Sequence, residues 1–577
     1  MSDKKTKSDI AEESDVLQIM EPLNTNIFDP LGLNTAVMEL TNSWIRNPDK
    51  LLQTQINTWN SYMNLWSNSM NRLLGAQTDP VTSPAGDDKR FKHEGWDVNP
   101  YFDFIKQSYL ISARTIMNSI AEADGLDSKS AHKLEFYARQ FVNAMSPSNF
   151  ALTNPEVMEK ALESKGDNLI KGIQNFCKDF DPKTGQLQIR MTDKQAFELG
   201  KNVATTPGKI VFQNRLMQLI QYTPSTKTVN TTPLLIVPPW INKFYVLDLQ
   251  PKNSFIKWCV EQGHTVFVIS WVNPDESYRD TDFQDYVFDG LLTAIDAIEK
   301  ATGEKQVNAI GYCIGGTLLA ATLAYLAVKK KNLIKSATFF VTMIDFTEPG
   351  DLGVFVDEQQ VSNLEQKMNS LGYHDGKEMA MSFNLLRSND LIWSFYVNNY
   401  LLGKEPFPFD LLYWNSDSTR MPAKMHSTYL RKMYLENVFK DKGGIIIGDV
   451  AIDVRNIKTP SYFISTEDDH IAPWESTYAG AQLFSGPVRF VLGKSGHIAG
   501  IVNHPDANKY GYYTGKSVKV APEQWRDDVT EKTGSWWPDW RSWEKKYAGE
   551  QVPARVPGDG KLQVIEDAPG SYVKSRI

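Results

Sequence analysis

Cys313 lies between two glycines, in the segment Gly-Tyr-Cys-Ile-Gly-Gly of residues 311–316. A short apolar run, 307–311, precedes it, and an alanine- and leucine-rich stretch typical of a helix follows it. A strand, a glycine turn and a helix in this order predict a nucleophile elbow, which holds a reactive side chain clear of the sheet. The N-terminus of the following helix stabilises a thiolate, the reactive form of cysteine. We therefore interpret Cys313 as a nucleophile rather than as a buried cysteine in a glycine-rich turn.

A base is expected after the nucleophile in the chain, because elbow folds place the acid and then the base later in the sequence. The apolar run 488–492 leads through a glycine-containing loop to His497. We predict that His497 deprotonates Cys313. The other histidines considered are interpreted as surface or structural residues: His93, His132, His264, His374, His426 and His504.

The acid that orients the base has four candidates. Glu467, Asp468 and Asp469 are adjacent in a loop that follows the apolar run 461–465, and Asp345 ends an earlier run. Position after the later strand favours the loop at 467–469 over Asp345. The spacing of the residues does not separate the three neighbours.

The oxyanion hole is expected to use the amide of Ile314, which follows the nucleophile, and a second amide from the loop after an earlier strand. That loop contains Pro238 and Pro239, which have no amide hydrogen to donate. The second donor is therefore Trp240 or Ile241, and we predict Ile241.

A cysteine at the elbow also bears on the reaction type. A thiolate that attacks a thioester exchanges one thioester for another, so the acyl group stays activated for a second acceptor. An ester of serine would lose this activation. The chemistry predicts acyl transfer from a thioester rather than hydrolysis, provided that water is excluded.

The elements that position these residues follow an alternating pattern. Short β-branched runs separated by helical stretches predict an α/β fold with a parallel sheet covered on both faces; the runs are Leu234–Val237, Thr265–Ser270, Val307–Gly311, Thr338–Met343, Tyr462–Ser465 and Arg489–Leu492. We predict an α/β-hydrolase core. Residues 1–200 are predicted to form a mainly helical N-terminal domain and 201–577 the catalytic domain. An aromatic-rich insertion at about 346–455 is interpreted as a cap over the site.

One helix near the N-terminus carries an apolar stripe at alternating steps of four and three residues, formed by Leu52, Ile56, Trp59, Met63, Trp66, Met70 and Leu73. This spacing is a heptad pattern on one helix face. We predict that the stripe packs on the body of the protein, with a dimer seam or an adhesive hydrophobic face as alternatives. The tail after His497 carries Trp536, Trp537, Trp540 and Trp543, too many aromatic residues for a disordered tail.

The composition excludes several classes of protein. The 577 residues exceed one ordinary domain, and the net charge of −8 without a basic cluster argues against a nucleic-acid partner. Three cysteines cannot form a disulfide framework, which favours a reducing intracellular compartment. The segment MSDKKTKSDIAEESD lacks the apolar core of a secretory signal, and no apolar run is long enough for a transmembrane segment.

From about residue 90 to the end, the chain resembles the class I polyhydroxyalkanoate synthases. The resemblance depends on five segments taken together: Val237-Pro-Pro-Trp-Ile-Asn-Lys-Phe-Tyr245, Gly311-Tyr-Cys-Ile-Gly-Gly316, Trp414-Asn-Ser-Asp-Ser-Thr419, Asp469-His-Ile-Ala-Pro-Trp474 and Gly496-His-Ile-Ala-Gly-Ile-Val-Asn503. A lone Gly-x-Cys-x-Gly would not be specific.

The resemblance implies candidate catalytic residues and their roles. Cys313 would carry the growing polyester as a thioester, His497 would activate its thiol, and Asp469 would help to activate the 3-hydroxyl of a monomer. The same resemblance selects Asp469 from the three acidic residues at 467–469. Substrate contacts are predicted for three residues of the matching segments: Trp240, Asn242 and Trp414.

The resemblance also implies the biological setting. The expected substrate is a short (R)-3-hydroxyacyl-CoA, such as 3-hydroxybutyryl-CoA, and the products are a polyester and free CoA. Neither a metal nor a tightly held cofactor is expected. The expected state is a homodimer in the cytoplasm, at the surface of storage granules and among granule-associated proteins, with the N-terminal region contributing to dimer stability and granule attachment. Two alternatives stay open: an acyl-CoA thioesterase or lipase-like hydrolase, and a non-catalytic granule-coat protein.

Overall fold

The structure, a computed structural model, describes residues 33–183 and 185–577. The prediction about a secretory signal concerns residues 1–15, which lie outside the described residues.

Eleven strands form one large mixed sheet within the described residues, in the order β17-β16-β15-β14-β9-β8-β6-β7-β4-β3-β19. The six neighbouring strands from β15 to β7 are parallel. The remaining five strands pair in antiparallel fashion at the two edges. The strands are β3 Gly208–Gln213, β4 Met217–Tyr222, β6 Leu234–Val237, β7 Val266–Trp271, β8 Val307–Tyr312, β9 Ile334–Phe340, β14 Ser461–Thr466, β15 Val488–Gly493, β16 Gly511–Thr514, β17 Thr530–Thr533 and β19 Glu566–Asp567.

The parallel centre contains the six strands predicted from the sequence, because strands buried on both faces are continuously apolar. The predicted α/β fold with a central parallel sheet is confirmed by this sheet. The antiparallel edge strands were not predicted; β3 and β4 are as long as the central strands, whereas β16, β17 and β19 are shorter. The run predicted at 338–343 is shifted: β9 ends at Phe340, and Val341 turns the chain with a φ of 41°. The following residues leave the sheet and face the candidate site.

Helices cover the sheet and form the N-terminal region and the insertion. They are α1 Leu33–Arg46, α2 Pro48–Leu73, α3 Gly95–Val98, α4 Pro100–Ala121, α5 Ser128–Ala144, α6 Pro155–Glu163, α7 Asp167–Asp179, α8 Phe255–Glu261, α9 Phe283–Asp285, α10 Thr293–Thr302, α11 Ile314–Val328, α12 Glu358–Leu371, α13 Gly376–Leu386, α14 Ser394–Tyr396, α15 Asp410–Asn415, α16 Ala423–Tyr429, α17 Trp474–Gln482, α18 Pro522–Asp527 and α19 Trp537–Glu544. Four small two-stranded ladders complete the regular structure: β1 Phe180–Asp181 with β2 Gln186–Leu187, β5 Thr228–Asn230 with β18 Gln551–Pro553, β10 Tyr373–His374 with β11 Met421–Pro422, and β12 Ile446–Ile447 with β13 Val450–Ala451.

The heptad stripe lies on α2, but the prediction that it packs on the body of the protein is wrong for the single chain. All seven of its side chains are 42–66% exposed. The opposite, more polar face packs on α4, where Thr58 bonds Thr115 at 2.9 Å and Tyr62 bonds Ser112 at 2.6 Å. Leu65 is the buried residue of this face. Hydrogen bonds therefore decide which face of α2 packs on α4. The spacing of apolar residues does not reveal these bonds.

The insertion between β9 and β14 covers the carboxyl ends of the parallel strands. The N-terminal helical region packs against it, chiefly through α7. Gly172 of α7 is so close to the insertion that a Cβ atom there would stand 1.8 Å from the carbonyl oxygen of Tyr400. Asn168 donates to the carbonyl of Leu401 at 2.8 Å, and Tyr400 donates to Asp179 at 2.7 Å. The N-terminal region therefore holds the cap in place through contacts of α7 with Tyr400 and Leu401.

The tryptophan-rich tail belongs to the core. Trp536, Trp537 and Trp540 are fully buried at α19. Their rings pack around Phe255 at centroid distances of 5.0–6.1 Å. Within the described part of the chain, no helix combines the length and the apolar character needed to cross a lipid bilayer.

Candidate active site

Cys313 stands at the turn between β8 and α11 in a strained backbone conformation, with φ 50° and ψ −121°. Such a conformation is rare for a residue with a side chain and is characteristic of a nucleophile elbow. Gly315 and Gly316 must be glycines, because neighbouring backbone and side-chain atoms leave no room for a Cβ atom. A Cβ on Gly315 would lie 2.2 Å from the carbonyl oxygen of Val237, and one on Gly316 would lie 1.9 Å from Oγ1 of Thr342. The strand and the helix thus approach too closely for larger residues.

His497 follows β15 and is joined to Asp469, which follows β14. Nδ1 of His497 lies 2.7 Å from Oδ2 of Asp469. Because a carboxylate only accepts, Nδ1 carries the proton of this bond. Oδ1 of Asp469 accepts the amides of Ile471 and Ala472, both at 2.9 Å. The Asp469 side chain has 0% exposure, so its charge acts on His497 rather than on solvent.

Cys313 is the partner on the other side of the imidazole. Burial lowers the pKa of His497, but the charge of Asp469, its hydrogen bond and the hydrogen bond with Cys313 raise this pKa to about 10. Since Nδ1 is bound to Asp469, Nε2 is the nitrogen available to the thiol. Tyr312 supports the ring from one face, with centroids 5.9 Å apart, and donates to the carbonyl of His497 at 3.2 Å. The structure therefore brings Cys313, His497 and Asp469 together.

The other acidic candidates have different partners. Asp345 accepts from Thr347, from Asn437 at 2.9 Å and from Lys440 at 3.1 Å. Glu467 pairs with Arg526 at 2.5 Å, and Asp468 is exposed. Of the four candidates, Asp469 is the one whose carboxylate contacts His497, because the loop after β14 turns its side chain toward the imidazole.

The two expected oxyanion donors, Ile314 and Ile241, both line the cavity that contains Cys313. Ile314 is the first residue of α11, where an amide has no carbonyl available within its own helix. Ile241 lines the same cavity as Cys313. Trp240 does not line this cavity; its indole is buried against Tyr286, with ring centroids 4.6 Å apart.

The loop that carries Ile241 is fastened to the cap. Nε1 of Trp414 donates to the carbonyl of Lys243 at 2.7 Å, and Oγ1 of Thr419 donates to the carbonyl of Trp240 at 2.8 Å. The matching segments at 237–245 and 414–419 therefore meet in space.

A buried ion pair strengthens this junction. Nζ of Lys243 lies 2.7 Å from Oδ1 of Asp417, and both side chains are nearly inaccessible. The same ammonium donates to the carbonyls of Val573 at 2.7 Å and Ser575 at 2.8 Å, near the end of the chain. Tyr245 donates to the second oxygen of Asp417 at 2.8 Å. The C-terminal segment thus helps to hold the candidate oxyanion loop, a role that local sequence patterns do not reveal.

A cavity of about 740 Å³ opens above Cys313, between the sheet and the cap. Asn242 and Trp414, two of the three predicted substrate contacts, line it, whereas Trp240 does not. Tyr429 and Tyr434 of the cap also line it, and burial together with the nearby Cys313 raises the pKa of both tyrosines. These tyrosines were missed because nothing in their local sequence distinguishes them from the many other aromatic residues of the insertion.

The arrangement is suited to covalent acyl transfer. A thiol at an elbow, an imidazole oriented by a buried carboxylate and candidate oxyanion donors on the cavity wall are the parts that this chemistry needs. Within residues 33–183 and 185–577, no group of three or more His, Cys, Asp or Glu side chains has an arrangement suited to a metal ion.

Comparison with known proteins gives two family matches. Residues 87–259 match the poly-beta-hydroxybutyrate polymerase (PhaC) N-terminus, and residues 232–504 match the alpha/beta hydrolase fold. A poly(3-hydroxyalkanoate) polymerase of Methylorubrum extorquens is 50% identical over 94% of this chain and 90% of the relative. Poly(3-hydroxyalkanoate) polymerase subunits PhaC of Rhizobium etli and Cupriavidus necator are 48% and 41% identical, over 95% and 85% of this chain and 87% and 83% of the relatives.

Proposed function

The chain belongs to the poly(3-hydroxyalkanoate) polymerase family, and we propose that it polymerises short-chain (R)-3-hydroxyacyl-CoA thioesters through an acyl thioester on Cys313. It is an acyltransferase on an α/β-hydrolase core. The observation that carries the proposed mechanism is the line of contacts from Cys313 through His497 to Asp469, in a cavity between the sheet and the cap.

The first step loads the enzyme. Nε2 of His497 takes the thiol proton, and Sγ of Cys313 attacks the thioester carbonyl of the substrate. The developing oxyanion accepts hydrogen bonds from the amides of Ile314 and Ile241. When the tetrahedral intermediate collapses, the bond to the sulfur of CoA breaks. The departing thiolate takes the proton from His497 and leaves as free CoA.

The second step forms the ester. A 3-hydroxyl group, from an incoming or a bound monomer, attacks the acyl carbon on Cys313 while Nε2 of His497 removes its proton. The carbon–sulfur bond to Cys313 breaks, an ester bond forms, and the proton returns the sulfur to its thiol. No metal or tightly held cofactor takes part in this scheme.

Asp469 is assigned a positioning role. Its side chain is fully buried, and its oxygens are already engaged by two amides and by His497. We propose that it assists activation of the 3-hydroxyl through the imidazole, rather than by touching the hydroxyl itself. This refines the role that the resemblance implies.

The test is the fate of the acyl group. Purified protein incubated with 3-hydroxybutyryl-CoA is expected to release CoA and to form poly(3-hydroxybutyrate), measured by thiol titration and by mass analysis of the polymer. Cys313→Ala, the matched control, is expected to release no CoA above background while keeping its circular dichroism spectrum. Free 3-hydroxybutyrate without polymer would instead support a thioesterase or lipase-like hydrolase. Equal CoA release by Cys313→Ala would overturn the thioester mechanism, and no release by the intact protein would favour a granule-coat protein.

The cellular setting is part of the proposal. We place the enzyme in the cytoplasm at the surface of polyester granules, as a homodimer and in contact with granule-associated proteins. The exposed apolar stripe on α2 supports an attachment or dimer role, because a stripe of seven large apolar side chains is costly to leave in water.

A further inference from the structure

Two histidines interrupt the mostly apolar cap side of the cavity. His374 lies on β10 and His426 lies on α16, and both line the cavity that contains Cys313. Their surroundings include Met379, Phe383 and Leu430. The proposed mechanism uses neither histidine.

The two rings are held as a stacked pair. Their centroids are 4.9 Å apart, and their planes differ by 5°. The ladder of β10 with β11 pairs His374 with Met421, and α16 begins two residues later, so this ladder between distant segments brings the two rings together. Both histidines are buried: His374 is 6% exposed and His426 is 2% exposed.

Both rings are neutral at physiological pH. Burial lowers the pKa of His374 to about 4, although Glu378 and Asp375 oppose this shift. Burial and the neighbouring His374 lower the pKa of His426 well below its usual value. A neutral imidazole carries one N–H donor and one acceptor nitrogen.

Among the described residues, neither ring nitrogen of His426 has a hydrogen-bond partner. A buried polar atom without a partner destabilises the folded protein, a penalty that a phenylalanine of similar shape would avoid. Retaining a histidine at a cavity wall at this cost is explained if a ligand supplies the missing bond.

The pair is within reach of a chain attached to Cys313. His426 precedes Tyr429 by three residues on α16, so the two side chains share a helix face and their Cβ atoms are about 5–6 Å apart. Burial, Tyr434 and then Cys313 raise the pKa of Tyr429, which also lines the cavity. The histidine pair therefore lies about one helical turn from Tyr429 on the wall of the same cavity.

We propose that His374 and His426 form a polar subsite that donates a hydrogen bond to an ester carbonyl of the polyester chain held on Cys313. This inference rests on the proposed function. A polyester presents a carbonyl acceptor in every repeat, so an N–H group in an apolar wall matches it. Because the nitrogens of His426 are covered by neighbouring atoms, the proposed hydrogen bond requires its ring to turn toward the cavity when a chain binds. The subsite recognises chains longer than one unit.

The test measures binding without turnover, in Cys313→Ala protein. The ligands are methyl 3-hydroxybutyrate and the methyl ester of its linear trimer, titrated by calorimetry. Adding His426→Phe is expected to weaken trimer binding about tenfold, the effect of one lost hydrogen bond, and to change monomer binding by less than about twofold. His264→Phe is the matched control, since His264 is also buried but lies outside the cavity.

Equal weakening of trimer and monomer, or the same selective loss in His264→Phe, would overturn the subsite. Should thermal melting show that His426→Phe is unfolded, His374→Phe makes the same comparison and must show the same loss of trimer binding. Assays of CoA release by the unmodified protein separate the two proposals. Normal release with unchanged trimer binding in the variants refutes the subsite alone, whereas absent release with a selective loss of trimer binding refutes the proposed function alone.

Discussion

The ammonium of Lys243 lies 2.7 Å from a carboxylate oxygen of Asp417, so one buried ion pair joins the loop after β6 to the cap. The same lysine binds two carbonyls of the C-terminal segment. Three stretches that are far apart in the sequence are thus fastened beside the candidate oxyanion donor Ile241.

Lys243→Met is expected to lower the free energy of unfolding by about 3–5 kcal/mol, because it leaves the carboxylate of Asp417 buried without its cation. Chemical denaturation measures this change. CoA release is expected to fall as well, with kcat reduced more than KM is raised, because the amide of Ile241 loses its fixed position. The double variant Lys243→Met/Asp417→Asn is expected to recover part of the stability. Unchanged stability in Lys243→Met would contradict the structural role of the pair.

Asp469→Asn is expected to reduce CoA release by about 10³–10⁴-fold, because the imidazole loses the carboxylate that orients it. The stability difference from the unmodified protein is expected to depend on pH. The pKa of His497 is raised from 6.5 to about 10, so the stabilisation is complete below about pH 6.5 and is lost as pH rises toward 10. Thermal melting of both proteins at pH 6, 8 and 10 measures this trend, and a difference that grows toward pH 10 would contradict it.

Gly315→Ala is expected to prevent the elbow from closing, because the new Cβ would lie 2.2 Å from the backbone oxygen of Val237. A cost of about 1–3 kcal/mol or more is expected, together with loss of CoA release. Gly86→Ala is the control, since its Cβ would meet open space. Thermal melting and the CoA assay compare the two, and equal behaviour would show that the elbow tolerates a side chain.

Trp59→Glu/Trp66→Glu, on the stripe of α2, is expected to change the unfolding free energy by less than about 0.5 kcal/mol per site, because both side chains are exposed. Co-sedimentation with poly(3-hydroxybutyrate) particles or dimerisation in analytical ultracentrifugation is expected to decrease. Leu65→Glu, on the buried face of the same helix, is expected to destabilise the N-terminal region instead. Normal dimerisation and normal co-sedimentation of the double variant would remove the proposed role of the stripe.

The sequence alone determined the features that depend on neighbouring residues. The apolar run before Cys313, its glycines and the helix after it specify the elbow locally, and the six core strands are recognisable because strands buried on both faces must be apolar. His497 was identified for a similar reason, since it follows the last parallel strand.

Tertiary structure decided the choices between chemically equal candidates. Residue spacing left four carboxylates available to the histidine; the family resemblance pointed to Asp469, and the closure of the loop after β14 places it 2.7 Å from His497. The outward direction of the α2 stripe, the clamp of the C-terminal segment on Lys243 and the stacking of His374 on His426 likewise depend on contacts between distant segments. Local periodicity cannot reveal such contacts, because it reports which residues share a face and not what that face meets.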